Sequence, residues 1–177
     1  MSAELDLKKH IRSIPDFPKP GILFRDITTL AQHKVAFSEA INKLAAKYMD
    51  KKIDKVVAVE ARGFIFGGAV ANKLKAGFVP VRKKGKLPWK TTSVNYELEY
   101  GTDTLEMHED AIKSGDRVLI VDDLLATGGT VKAVTELLEQ KKAKIAGIAF
   151  LVELIDLGGK DKLKNYPVYS LIKFPGH

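Results

Sequence analysis

Two adjacent acids, Asp122 and Asp123, stand just before the turn ATGGT (residues 126–130) in the stretch VLIVDDLLATGGT. A glycine-rich turn that opens a helix offers free backbone amides and the positive end of the helix dipole, and both attract phosphate. Gly128 and Gly129 let the main chain approach an anion closely, and Thr127 and Thr130 add hydroxyls. Carboxylates beside such a turn must face something other than phosphate. Sugar hydroxyls are good donors to carboxylates, and a divalent cation with its waters is a second candidate partner. A phosphate beside vicinal hydroxyls describes ribose 5-phosphate. Ala126, Thr127, Gly128, Gly129 and Thr130 would then hold the phosphate, and Asp122 and Asp123 the ribose. A lone Asp-Asp pair is more often a turn or capping element; its place between an apolar strand and T-G-G-T favours the ligand. The segment lacks the lysine of the P-loop, G-x-x-x-x-G-K-[ST], and is not the dinucleotide fingerprint G-x-G-x-x-G.

Cations occur at two further places. Arg62, in EARGF, follows the apolar run VVAV and can present a forked donor to a pyrophosphate. An ion pair between Arg62 and Glu60 is the structural alternative. RKKGK (82–86) is the one locally dense basic run, a solvated loop, a nucleic-acid patch or an anion-binding segment. His10, His33, His108 and His177 lack metal-ligand spacing.

These residues need a scaffold. KVVAVE (55–60), GFVPVR (77–82), RVLIVDD (117–123), KIAGIAFLVEL (144–154) and VYSLIKF (168–174) are short apolar runs suited to buried strands. FSEAINKLAAKYMD (37–50), ARGFIFGGAVANKLKA (61–76) and GGTVKAVTELLEQKKA (128–143) alternate with them at helical spacing. Such alternation predicts right-handed crossovers and an α/β fold with a mostly parallel sheet covered by helices on both faces. Ligands of open parallel sheets bind beyond the carboxyl ends of the strands. The strand VLIV is expected to end at Val121, which puts both acids and Arg62 on that rim. SAELDLKKHIRS at the start is predicted as a short amphipathic helix, and PDFPKPG (15–21) must be extended or turned. Between Val81 and Arg117 the chain leaves the strand–helix rhythm. Val94, Tyr96, Leu98 and Tyr100 alternate with polar residues, and Leu105 and Met107 alternate after YGTDT. That pattern predicts a β-hairpin, and long excursions of this kind often cover sites. No repeat, low-complexity tract or linker divides residues 1–177, so one domain is expected.

Composition bounds the function classes. Hydrophobic residues make up 45% and charged residues 29% of 177, as in an ordinary globular domain. No apolar run approaches the ~18 residues of a membrane helix, and the start carries no apolar signal-peptide segment. The absence of cysteine removes thiolate chemistry and fits a reducing cytosol. A net charge of +7 suits an anionic partner, but most of the excess lysine is scattered among acids and no nucleic-acid module is apparent.

At VDDLLATGGT the chain resembles the type I phosphoribosyltransferases, whose signature is an apolar strand, two acids and a Thr-Gly-Gly-Thr loop. PDFPKPGILFRDIT, EARGFIFGGAVA, VPVRKKGKLP and YELEYGTDTLEMH extend the resemblance along nearly the whole chain, in the order found in the members that act on adenine. The resemblance implies transfer of ribose 5-phosphate from phosphoribosyl pyrophosphate to adenine, giving AMP and pyrophosphate, with Mg2+ as cofactor. It implies that Arg62, Arg82, Lys83 and Lys86 bind pyrophosphate. Some members carry Asp-Ser where this chain has Glu60-Ala61. The resemblance further implies that Glu99 lies over the purine as acid/base or electrostatic partner, and that residues 1–33 form the purine-binding region. Leu23, Phe24 and Arg25 are candidate adenine contacts there, with Leu154 on the far side of the base. Residues 82–108 would form a hood that closes as a lid. A cytoplasmic homodimer, with no nucleic-acid or membrane partner, is the accompanying expectation. Transfer to xanthine, hypoxanthine or orotate is the main alternative, and a regulator that senses phosphoribosyl pyrophosphate and binds nucleic acid is a second.

Overall fold

A computed structural model describes residues 5–97 and 101–175. Five parallel strands, β3 (Lys55–Val59), β4 (Gly77–Lys83), β7 (Arg117–Leu125), β8 (Lys144–Leu154) and β9 (Val168–Phe174), form the body of a seven-stranded sheet. The hairpin strands β5 (Thr91–Glu97) and β6 (Thr102–His108) complete it antiparallel, in the order β5-β6-β4-β3-β7-β8-β9. The five predicted sheet strands and the hairpin are all present. Chain direction explains the site. From β3 the chain crosses outward to β4, whereas from β7 it crosses the other way to β8, so the order reverses between β3 and β7. Such a switch point leaves a crevice at the carboxyl ends of the two strands.

Both faces of the sheet are buried, and the strand residues alternate between two cores. Val56, Leu119, Val121, Ala149 and Leu151 pack with Phe66 and Val70 of helix α3 (Arg62–Leu74) and with Ala40 and Leu44 of helix α2 (Lys34–Ala46). Val57, Val118, Ile120, Ile148 and Phe150 pack with Val134, Leu137 and Leu138 of helix α4 (Gly129–Gln140). This two-sided burial is why the strands are continuously apolar rather than alternating. Each fully buried large side chain, such as Phe66 or Phe150, contributes about 1.5–3 kcal/mol relative to exposure. Local signals set the helix ends. His33 caps α2 through Nδ1, which accepts from the Ala36 amide at 3.2 Å. Lys75 closes α3 in the left-handed region.

The amino-terminal region departs from the predicted helix. Among the described residues of that stretch a 3-10 turn forms in place of an α-helix, at Leu7–His10. Arg12–Ile14 (β1) then pairs antiparallel with Phe24–Asp26 (β2), ahead of the short helix α1 (Thr28–Gln32). Asp26 explains the ribbon. Its carboxylate accepts from Arg12 Nη2 at 2.6 Å and from Thr28 Oγ1 at 2.6 Å, satisfying a charge that only a long-range partner reveals.

Candidate active site

The crevice is a cleft of about 460 Å3, lined by Val59 to Arg62 from the end of β3 and by Asp122 to Val131 from the end of β7. The first turns of α3 and α4 both open on it. Two helix amino termini thus present free amides and partial positive charge to one space, with the acid pair between them.

β7 does not end at Val121, as the sequence suggested. Its pairing with β3 stops at Ala58↔Val121, but its pairing with β8 continues through Asp122↔Phe150 to Leu125↔Glu153. Asp122 and Asp123 therefore sit on a strand with one neighbour and one open side. Both are nearly inaccessible, at 9% and 7% exposure. Burial, then the adjacent Asp123 charge, pushes the Asp122 carboxyl well above the usual carboxylate range. Its Oδ1 accepts the Asp123 amide at 2.9 Å. Asp123 Oδ2 lies 2.8 Å from Arg62 Nε in an ion pair. The two carboxylates thus have different partners, one the neighbouring amide and one a guanidinium.

Arg62 is the first residue of α3 and remains 42% exposed at its side chain. Its guanidinium also lies 5.2 Å from the ring centre of Phe24, which brings the amino-terminal ribbon to the edge of the cleft. The expected alternative of an Arg62–Glu60 pair is not formed. Glu60 instead faces the basic run: Oε1 accepts the Lys83 amide at 2.7 Å, and Oε2 accepts from Arg82 Nη2 at 3.1 Å and Lys86 Nζ at 3.1 Å. These contacts hold the Glu60 carboxyl below its usual range against the opposing cost of burial. Glu60, on the cleft wall, thereby gathers two of the predicted pyrophosphate cations, Arg82 and Lys86, which stand behind it rather than in the lining of the cleft. The Lys83 ammonium pairs with Asp103 of β6 at 3.0 Å. Tyr96 of β5 stands opposite Asp103 in the hairpin register and close to Thr130, which brings the hairpin to the glycine turn.

Ala126, Thr127, Gly128, Gly129 and Thr130 form the turn entering α4, with Gly128 at φ 78° as the residue before the helix. The predicted base-contact residues are less concentrated. Leu23 and Phe24 are half-buried, Phe24 packing edge-on against Phe17 at 5.1 Å. The Arg25 side chain is committed elsewhere, donating to Ser13 Oγ at 2.5 Å and lying 4.3 Å from the Phe174 ring centre. Leu154 ends β8 opposite Phe174 and packs on the core. Glu99 lies outside the described residues.

One positioning residue escaped the sequence reading. A Cβ on Gly63 would stand 2.5 Å from Asp122 Oδ1, so a side chain there would displace that carboxylate from its present position. Its sole trace in the sequence is the glycine after Arg62.

A family model described as a phosphoribosyl transferase domain matches residues 28–176. The chain is 56% identical over its full length to the full length of an adenine phosphoribosyltransferase of Bradyrhizobium sp. (strain ORS 278). It is 57% identical to that of Brachyspira hyodysenteriae, covering 96% of this chain and all of the relative. The crystal structure of adenine phosphoribosyltransferase from Thermoanaerobacter pseudethanolicus superposes with a TM-score of 0.92 at 54% identity, over 95% of this chain and 98% of that one. The Saccharomyces cerevisiae enzyme, solved with an imino-altritol bisphosphate and adenine, matches with a TM-score of 0.88 at 43% identity, over 93% and 96%. The switch-point cleft, the acid pair and the glycine turn thus lie on a scaffold shared with these enzymes, and the chain belongs to the phosphoribosyltransferase family, grouping within it with the adenine phosphoribosyltransferases.

Proposed function

We propose that the chain transfers ribose 5-phosphate from phosphoribosyl pyrophosphate to adenine, releasing AMP and pyrophosphate. The observation that carries this reading is the pairing of two helix amino termini across one cleft with Asp122 and Asp123 between them. That arrangement suits a sugar bearing phosphate groups at both ends. The α4 turn takes the 5-phosphate on its amides and on Thr127 and Thr130. The acids accept the ribose hydroxyls. Arg62, Arg82, Lys83 and Lys86 receive the pyrophosphate on the other wall. Breaking the C1–pyrophosphate bond puts positive charge on the ribose ring, and the acid pair stands beside it. Orienting the reactants can lower the barrier by roughly 7–11 kcal/mol at best. Phe24, with Leu23, is proposed to border the adenine, and Glu99 to act on its nitrogen. The hairpin would close over the site and keep water from the activated sugar.

Mg2+ fits the donors present. Among the described residues no group of three or more His, Cys, Asp or Glu forms a cage. A Mg2+ ion is commonly held by one or two carboxylates, waters and substrate phosphates, and Asp122 and Asp123 can supply the carboxylates. Its chemical contribution would be to neutralise the pyrophosphate. We propose also that the enzyme works as a cytoplasmic homodimer; relatedness to the family supports this, and light scattering tests the assembly.

One assay tests the function: adenine, phosphoribosyl pyrophosphate and Mg2+, with AMP as readout, run beside xanthine, hypoxanthine and orotate. AMP formed in preference to the other nucleotides is expected. Turnover of another base without adenine would overturn the choice of substrate.

A further inference from the structure

The glycine turn that would hold the 5-phosphate is shaped from behind by a segment distant in sequence. Past β8 the chain makes two 3-10 turns, Ile155–Leu157 and Gly159–Leu163. Gly159 lies against the back of the turn before α4, glycine to glycine. A Cβ on Gly128 would stand 2.6 Å from the Gly159 carbonyl oxygen. A Cβ on Gly159 would stand 2.3 Å from the Ala126 carbonyl oxygen and 2.7 Å from Leu125 Cδ1. Neither backbone can carry a side chain at this contact.

The backing segment is itself fastened. Leu163 is fully buried in the core under α4. Glu153, 6% exposed, sits opposite Leu125 in the β7–β8 register and pairs with Lys160 Nζ at 2.9 Å. A buried carboxylate without its partner is costly, so the pair holds Lys160, and with it the adjacent Gly159, against the end of β7.

We propose that Gly159 and the Glu153–Lys160 pair are positioning residues for the sugar phosphate, setting the alignment of the amides from Ala126 to Thr130 without touching the ligand. This rests on the reading of that turn as the 5-phosphate site. A methyl group at position 159 must open its contact with the Ala126 carbonyl from 2.3 Å to the 3.4 Å of ordinary contact, a relative displacement of the two segments of about 1 Å. Displacements of that size can cost on the order of 100-fold in a positioned site.

The test measures ribose 5-phosphate and adenine binding separately by calorimetry, together with the two KM values. Gly159→Ala is expected to weaken ribose 5-phosphate and raise KM for phosphoribosyl pyrophosphate by roughly 10- to 100-fold, leaving KM for adenine within about threefold. Lys160→Ala, which removes the ammonium and leaves the Gly159 contact itself unaltered, is expected to shift the same two quantities less and in the same direction. Lys160→Arg, which keeps the pair with Glu153, is expected to restore them. A folded Gly159→Ala with wild-type ribose 5-phosphate affinity overturns the proposal. If that variant does not fold, unchanged affinity in Lys160→Ala overturns it. An equal loss of both ligands, not restored by Lys160→Arg, also overturns it, since general destabilisation then suffices. Failure of the wild-type protein to bind ribose 5-phosphate would instead remove the phosphate-site reading, and this proposal with it.

Discussion

The two walls of the cleft are built by different means. On the β7 wall the machinery is main chain and burial: a strand prolonged by one neighbour, two inaccessible acids and glycines in backbone contact. On the β3–β4 wall it is side-chain charge. Glu60 gathers Arg82, Lys86 and the Lys83 amide, and Asp103 takes the Lys83 ammonium; the cations are half-exposed, while the Glu60 side chain is nearly buried. Cations that reach solvent are screened by it, so such contacts hold their geometry less firmly than buried main-chain contacts. The first wall is preformed in main chain, whereas the second is arranged by side-chain charge, with Glu60 placing the cations that a pyrophosphate would meet. A sugar phosphate that stays bound through the reaction suits the first, and a leaving group that must depart suits the second.

Arg62 bridges the walls, so its loss should be the most damaging. Arg62→Ala is expected to lower turnover by roughly 100-fold or more, the scale of one preorganised electrostatic contact. Wild-type turnover would remove Arg62 from the chemistry. Glu60→Gln probes the charged wall alone. It should raise KM for pyrophosphate in the reverse reaction by about tenfold, the scale of one lost charge-assisted hydrogen bond, with KM for adenine unchanged. Tighter pyrophosphate binding would instead show Glu60 to be a competitor for the cations. Trimming the hairpin tip should raise pyrophosphate release in the absence of adenine by several-fold, and unchanged hydrolysis would argue against closure.

The smallest effect should lie away from both walls, at Asp26. Hydrogen bonds from Thr28 and Arg12 hold its carboxyl at about 2, below its ordinary 3.8. A depressed folded-state value means that its contribution is complete above about pH 4 and is lost as the pH falls toward 2. The melting-temperature gap between wild type and Asp26→Asn should therefore narrow across that window. A constant gap would assign the effect to packing.

The same contrast governs what the sequence discloses. The β7 wall is written in consecutive residues: apolar run, Asp122, Asp123, glycine turn. Its strands were legible because both faces are buried, which makes whole segments apolar. The charged wall depends on partners far apart in the chain, Glu60 with Lys86 and Lys83 with Asp103, and nothing in the local spacing of either residue announces the other. The β1–β2 ribbon was hidden for the same reason. The charges of Asp6, Lys8 and Lys9 look helical, while the decisive contact runs from Arg12 to Asp26. β7 outlasted its predicted end because β8 continues beside it, a fact about a neighbour rather than about the residues themselves.

That unequal strand length has an evolutionary consequence. The notch exists because one ladder stops at Val121 and the other runs on to Leu125. The one register irregularity of that ladder lies at Val118/Leu119, near the start of β7 and away from the notch. Segments bordering the notch can be exchanged, lengthened or recharged without disturbing the frame, so descendants of such a scaffold could come to accept a different nucleobase while inheriting the sugar-phosphate seat unaltered.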